Sequence, residues 1–376
     1  MAFREWERVV RERFADLKDI RHPTLVVNGI YDEMTPVRNS YWLSANLPNA
    51  VLLTYPDSGH DSLFQFHESL QGRPRRFYLR LHRTELKCSM AAEESLPPSA
   101  SEFDMTFDTL SVTREGAVLF VEIAAPPMNL LGPELVRDLV SLISEAEPDE
   151  AAKVLVFKSA DRDYFISHVD LNRITEYRHE AAKLAGEPSL ALLFRRLSTS
   201  RLITIAQIEG RVRAAGSEFV LACDMRFAAL ESAIFGQFEP AFGLLPGGGA
   251  AQHLTRLMGR GRALEVMLSA QDYNAELAER YGWINRALPA AALGDFVRTL
   301  AQRIASFPAA GHAVVKNRVN AIALASVEDF RRDSDAFGNG VGEPQAQARI
   351  RAAMSHGFQT RDGELALGRM LGELEH

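Results

Sequence analysis

Cysteine is nearly absent: Cys88 and Cys223 are the only two in 376 residues. That supply builds neither a disulfide framework nor a cysteine-rich metal site, and it fits a reducing, cytoplasmic compartment. Missing too is any run near the ~18 uninterrupted apolar residues that a membrane-crossing helix needs, so no membrane partner is expected. The opening MAFREWERVVRERF is dense in charge of both signs, unlike a secretory signal. Nor is there a positive excess. The 42 Lys and Arg face 49 Asp and Glu, a net charge of −7, whereas a nucleic-acid binder normally carries a basic face. One basic cluster, Arg73, Arg75, Arg76, Arg80, Arg83 and Lys87, is interleaved with Phe77, Tyr78, Leu79 and Leu81. It reads as a solvated linker edge rather than an anionic-partner patch. Neither a nucleic-acid partner nor a metal site is expected.

What is present is a globular composition, 47% hydrophobic and 24% charged, which excludes collagen-like and disordered chains. The length suggests about two or three domains, and the pattern is α/β in two unequal parts. In the first, the β-branched run Pro23 to Gly29 predicts a buried strand. A helix over about Pro36 to Leu47 and a second strand over Val51 to Tyr55 follow. Strand–helix–strand implies parallel strands joined by a crossover. Residues 88–106 are rich in Ser, Ala, Glu and Pro and read as a linker.

From about Phe107 a longer α/β region begins. Leu110–Val112 and Val118–Ile123 predict paired strands, and Pro133 to Ala146 a helix with proline in its first turn. Further strands are expected at Val154–Phe157, Leu202–Ile208, Met225–Ala229 and Ala233–Phe235, with mostly helix beyond Gly248.

Two carboxylates in this region are candidates for acid–base chemistry. Glu218 opens an apolar helix after the small-residue turn Ala214-Ala215-Gly216. A glutamate there gains from free amides and the helix dipole, a purely structural role. Its apolar flanks also imply burial, which raises a carboxyl pKa and makes it a proton carrier. Glu239 sits in the loop Phe235-Gly236-Gln237-Phe238-Glu239-Pro240, just after a strand. The turn before Glu218 can aim backbone amides at a ligand, and a second turn, Phe165 to Asp170, follows the Val154 strand.

With these residues in view, the large region resembles the crotonase (enoyl-CoA hydratase/isomerase) superfamily. The matching stretches fall in family order: Ala125 to Leu131, Phe165 to Asp170, Gly210 to Asp224, Phe235 to Glu239 with Gly243 to Gly249, and Ala278 to Asn285. The resemblance implies a crotonase-like spiral of βαβ units over 107–325, a helical C-terminal region over 326–376, and an acyl-CoA substrate. It implies Glu218 and Glu239 as the catalytic pair, and the backbone amides of Val169 and Ala215 as the oxyanion hole. Asn129, Ile166, His168, Asp170 and Gly216 become substrate or CoA-binding positions. No cofactor beyond the coenzyme A thioester is implied, and a homo-oligomer, trimer or dimer of trimers, is.

Having both glutamates points to a hydratase. Isomerisation or decarboxylation on the same scaffold is the alternative, and a non-catalytic CoA-ester-binding protein is the third reading. Departures from the family pattern stand at Ile166-Ser167-His168-Val169, where a small, glycine-containing centre is usual, and at Arg213-Ala214-Ala215-Gly216, which keeps one glycine. His168 reads more readily as a hydrogen-bonded loop histidine than as a general acid. The tail, including His356 to Arg361, also diverges from the expected one.

The N-terminal part, 1–87, resembles the C-terminal end of an α/β-hydrolase, with Asp32 and His60 in the places of that family's acid and histidine. In that fold the nucleophile precedes the acid, in a G-x-S-x-G elbow. No serine or cysteine precedes Asp32, so the two residues read as vestigial.

Overall fold

The computed structural model describes Leu17 and residues 20–22, 24–29, 37–55, 101–102 and 106–374. The chain divides into two units, Met1–Pro97 and Pro98–His376. In the first, β1 (Thr24–Gly29) and β2 (Ala50–Tyr55) run parallel, Thr24 opposite Ala50 and Gly29 opposite Tyr55. The helix Val37–Asn46 connects them as the crossover that the sequence predicts. Asn28 ties strand to helix, its Nδ2 donating to Ser40 Oγ at 3.0 Å. Asp32, His60, the basic cluster and Cys88 lie outside the described residues.

The second unit begins with β3 (Ser101–Glu102), which pairs antiparallel with Arg114 and Thr113. The end of the expected linker is therefore an edge strand of this unit. β4 (Leu110–Glu115) and β5 (Val118–Ile123) form an antiparallel hairpin that turns at Gly116. After the helix Pro133–Ala146, strands come in pairs: β6 (Val154–Ser159) with β7 (Tyr164–Ile166), β8 (Ile203–Ile208) with β9 (Arg211–Arg213), and β10 (Met225–Ala229) with β11 (Ile234–Gly236). The first strand of each pair enters a large sheet and the second a small one, so the chain spirals through both. β12 (Asp272–Asn274) completes the small sheet and β13 (Arg286–Leu288) the large one. The large sheet runs β13-β10-β8-β6-β5-β4-β3 and is parallel from β13 to β5.

Parallel strands covered on both faces read as continuous apolar runs, as VLVF and ITIAQI do here. Alternate residues divide between the faces. Leu119, Val121, Leu155, Phe157 and Ala206 join the main core with Leu135, Leu139, Leu142 and Ile143 of the helix Pro133–Ala146. Val118, Phe120, Val154, Val156 and Ile205 pack instead under Leu293, Val297 and Ala301 of the helix Ala290–Ala305.

The C-terminal segment is helical, as the resemblance implies, with helices at Val327–Val341, Pro344–Ser355, Arg361–Leu365 and Leu367–Glu373. It does not stand apart from the core. Phe337, Ile350, Phe358, Leu367 and Met370 form one apolar cluster with Phe238, Phe242 and Leu244. The tail thus folds back onto the segment that carries Glu239. Among the described residues, no helix is long and apolar enough to cross a membrane.

Candidate active site

Glu218 lies in the first turn of the helix Ala215–Ala222, whose residues are all buried. Its Oε1 accepts the Gly248 N–H at 2.7 Å and the Ala250 N–H at 3.0 Å. The carboxyl is therefore held by the turn that opens the helix Ala250–Ser269. A Cβ at Gly248 would overlap its other oxygen, so glycine is needed there for the carboxyl to sit this close. Burial pushes the Glu218 pKa up to about 7, against the pull of those amides and with help from the charge of Asp333.

Glu239 opens a short 3-10 turn, Glu239–Phe242. Its Oε1 accepts from Gln237 Nε2 at 2.8 Å, while its buried Oε2 has no hydrogen-bond partner among the described residues. Burial first, and the Glu218 charge second, push its pKa well above the ordinary carboxyl value. With the Glu218 charge raising the Glu239 pKa, the two carboxyls do not both ionise readily. The amides mark Glu218 as the one to carry the charge and leave Glu239 as the acid.

Two backbone amides face the same cleft. Neither the Val169 N–H nor the Ala215 N–H has an acceptor among the described residues. The Ala215 amide begins the helix and is aimed by Ala214, which takes φ 46° and ψ −124°, a conformation that glycine adopts far more readily. Gly216 lets the helix start close to β7: a Cβ there would overlap the Ile166 carbonyl oxygen. The two peptides flanking Val169 are pinned, because Leu131 N–H donates to His168 O at 2.8 Å and Asp170 N–H donates to Leu131 O at 3.2 Å.

Glu218, Glu239, Val169, Ala215 and His168 all line one cleft. Phe238, Phe242 and Leu244 from the core and Phe337 and Phe358 from the tail form its apolar walls. The other expected binding residues do not line it. Asn129, at φ 53°, is a buried staple: its Oδ1 accepts from Ala125 N–H, and its Nδ2 donates to Ser159 Oγ and to the Tyr164 and Phe165 carbonyls. Ile166 is wholly buried in β7, and Asp170 Oδ1 caps the Asn172 N–H at 2.9 Å.

His168 is buried and hydrogen-bonded, as its sequence context suggests, but its partner comes from the tail. Its Nε2 lies 2.8 Å from Glu364 Oε1 and its Nδ1 2.8 Å from Val169 O. Arg213 Nη1 donates to the Glu364 carbonyl at 2.9 Å, and its Nε and Nη2 donate to Asp272 at 2.8 and 2.6 Å. Sequence reasoning missed Arg213, Phe337, Phe358 and Glu364. Two signals were present: the departure at Arg213-Ala214-Ala215-Gly216, which holds Arg213, and the divergence of the tail around His356 to Arg361, which holds Phe358.

Two buried carboxyls with raised pKa and two amides without an acceptor among the described residues, around one apolar cleft, suit acid–base chemistry beside a developing oxyanion. Comparison with known proteins narrows the class. The enoyl-CoA hydratase/isomerase family model matches residues 113–355, and a second model, TAP-like protein, matches residues 5–84. A short-chain-enoyl-CoA hydratase of Clostridium acetobutylicum is 27% identical over 236 residues, 62% of this chain and 90% of its own. The crystal structure of a candidate enoyl-CoA hydratase from Streptomyces avermitilis is 48% identical, with a TM-score of 0.72 over 73% of this chain and 100% of its own. An enoyl-CoA hydratase from Mycobacterium avium subsp. paratuberculosis is 25% identical, with a TM-score of 0.59 over 66% and 97%. The chain belongs to the enoyl-CoA hydratase/isomerase family.

Proposed function

We propose that the protein is an enoyl-CoA hydratase, adding water across the α,β double bond of an acyl-CoA thioester. One observation carries this reading: two buried carboxyls, both with raised pKa, line one cleft with Val169 and Ala215, whose amides have no acceptor among the described residues. The Val169 and Ala215 amides hold the thioester oxygen. Glu218, ionised and fixed by Gly248 and Ala250, takes a proton from water as the water oxygen bonds to the β-carbon. Negative charge moves onto the thioester oxygen between the two amides. Glu239 then delivers its proton to the α-carbon. Transfer of the water-derived proton from Glu218 to Glu239 resets the pair. Each oxyanion donor is worth about 10²–10³-fold and each acid–base role about 10²–10⁴-fold.

Water addition beside a thioester needs an acid, a base and oxyanion donors, so this reading requires no resident cofactor. Retention of both glutamates favours it over isomerisation, for which one carboxyl suffices, and over a non-catalytic binding role. The reading includes a reducing, cytoplasmic setting and a homo-oligomer. The exposed apolar row Val314, Val315, Val319 and Ile322 on the helix Ala309–Ala323 supports the latter, and light scattering in solution tests it.

The test of activity follows the conjugated thioester absorbance of crotonyl-CoA and of a longer enoyl-CoA, with Glu239→Gln beside the wild type. The expected result is loss of absorbance with the wild type and nearly none with the variant. Equal turnover by both proteins would overturn the assignment.

A further inference from the structure

His168 presents both ring nitrogens to oxygen. Nδ1 faces the Val169 carbonyl and Nε2 the Glu364 carboxyl, each at 2.8 Å. A carbonyl oxygen carries no proton. Burial pushes the Glu364 carboxyl up, but His168 and Arg213 outweigh it, and its pKa falls below the ordinary value. Glu364 is thus an anion. A neutral imidazole has one N–H and one lone pair, so one of the two contacts would set a lone pair against an oxygen. Arg213 Nη1, 3.4 Å from Glu364 Oε2, independently favours the Glu364 anion, and against that anion the imidazolium satisfies both contacts.

The surroundings suit a cation. Asp272, Arg213, Glu364 and His168 form a chain of alternating charge in which Arg213, Glu364 and His168 are almost wholly buried. The imidazole stacks on Phe358 at 4.6 Å between centroids and 10° between planes, and meets Phe238 edge-on at 5.5 Å. Other charged groups lining the cleft with His168 are Glu218, Glu239 and Arg178.

We propose that Glu364, reaching in from the C-terminal tail, holds His168 as an imidazolium that positions the Val169 oxyanion donor and places a fixed positive charge beside it. The Nδ1–H bond, with Gln359 Nε2 as a second donor at 3.3 Å, anchors the peptide after Val169. The Leu131 N–H anchors the peptide before it. The Val169 N–H is therefore held from both sides, and a buried positive charge adjoins the place where the thioester oxygen becomes negative. His168 and Glu364 act as positioning residues, and their effect on the reaction rests on the hydratase reading above.

The test has two readouts. Nitrogen-15 NMR of the full-length, ligand-free chain with labelled histidine, at about pH 7.5, should show both His168 nitrogens bearing protons, and Glu364→Gln should convert the ring to a neutral tautomer. In parallel, kcat for enoyl-CoA hydration should fall about tenfold in Glu364→Gln and in His168→Asn, with KM little changed. The carbonyl stretch of a bound saturated CoA thioester should move back toward its value in water. A neutral His168 ring in the wild type overturns the proposal, whatever the folding of the variants. So does a folded Glu364→Gln protein that has lost the cation yet keeps kcat and the carbonyl shift. A wild type that polarises the bound carbonyl but hydrates no enoyl-CoA would sink the hydratase reading and leave this inference standing.

Discussion

Glu218 accepts the Gly248 N–H at 2.7 Å, and this bond decides which of two buried carboxyls carries the charge. Glu239 has the Gln237 side-chain amide and its own backbone amide, and its Oε2 has no partner among the described residues. Backbone amides stabilise a carboxylate as the anion, and Glu218 has those of Gly248, Gly249 and Ala250. The division of labour between base and acid follows from that asymmetry.

Removing either proton carrier should therefore be costly. Glu218→Gln and Glu239→Gln are each expected to lower kcat about 10²–10⁴-fold, with acyl-CoA binding retained. Steady-state hydration beside calorimetric binding of a saturated CoA ester separates the two effects. Full activity in both variants would dismiss the pair.

Rate should depend on pH with a definite sign. Glu218 must be ionised to accept a proton, and burial raises its pKa to about 7, so kcat/KM should climb as pH rises through about 7. Glu239 must be protonated, and burial with the Glu218 charge holds its pKa well above the ordinary carboxyl value, so activity should fall again at higher pH. The two limbs belong to the coupled pair. A profile already flat at pH 5 would contradict the burial argument.

Stability should follow the same group in the opposite sense. The folded pKa of Glu218 lies above the value of 4.5 expected in the unfolded chain. The folded state therefore holds this proton more tightly, and that contribution is present below about 4.5 and lost as pH rises through about 7. Glu218→Gln should gain thermal stability over the wild type at pH 8 and little at pH 5. Melting curves at the two pH values measure the difference.

Ala214 stands where glycine would be at ease, at φ 46° and ψ −124°. Holding an alanine there costs about 1–3 kcal/mol, and glycine's extra chain entropy offsets part of the relief. Ala214→Gly is expected to raise Tm by about 2–4 °C, as scanning calorimetry can read. A lower Tm would mean that the Ala214 methyl, packed in the Phe238–Phe358 cluster, outweighs the strain.

Asn129→Ala removes the staple between the 125–129 turn and the strand end at Tyr164 and Phe165. Buried backbone groups left unpaired should cost about 2–3 kcal/mol, read as a lower denaturant midpoint. An unchanged midpoint would return Asn129 to the role of a direct ligand contact.

Much of this molecule was legible in its sequence. The strands Val118–Ile123 and Met225–Ala229 and the helix Pro133–Ala146 stand where apolar runs and a first-turn proline place them. Short-range pattern was enough there, because burial on both sheet faces demands unbroken apolar runs. Of the small sheet only β11 was legible, as Ala233–Phe235; the three-residue strands β7, β9 and β12 carry too little periodicity to be read. Glu218, Glu239, Val169, Ala215 and His168 line one cleft, whereas Asn129, Ile166, Asp170 and Gly216 do not line it.

The sequence by itself determined the α/β class, the family and the two glutamates, because each is written in local pattern and in the order of motifs. Tertiary structure alone decided how those groups are charged and what closes over them. Protonation depends on desolvation and on partners distant in the chain, such as Gly248 for Glu218 and Glu364 for His168. No local pattern announces that a tail glutamate will lie against a loop histidine 196 residues away. Only packing of the tail onto Phe238 and Phe242 brings the two together.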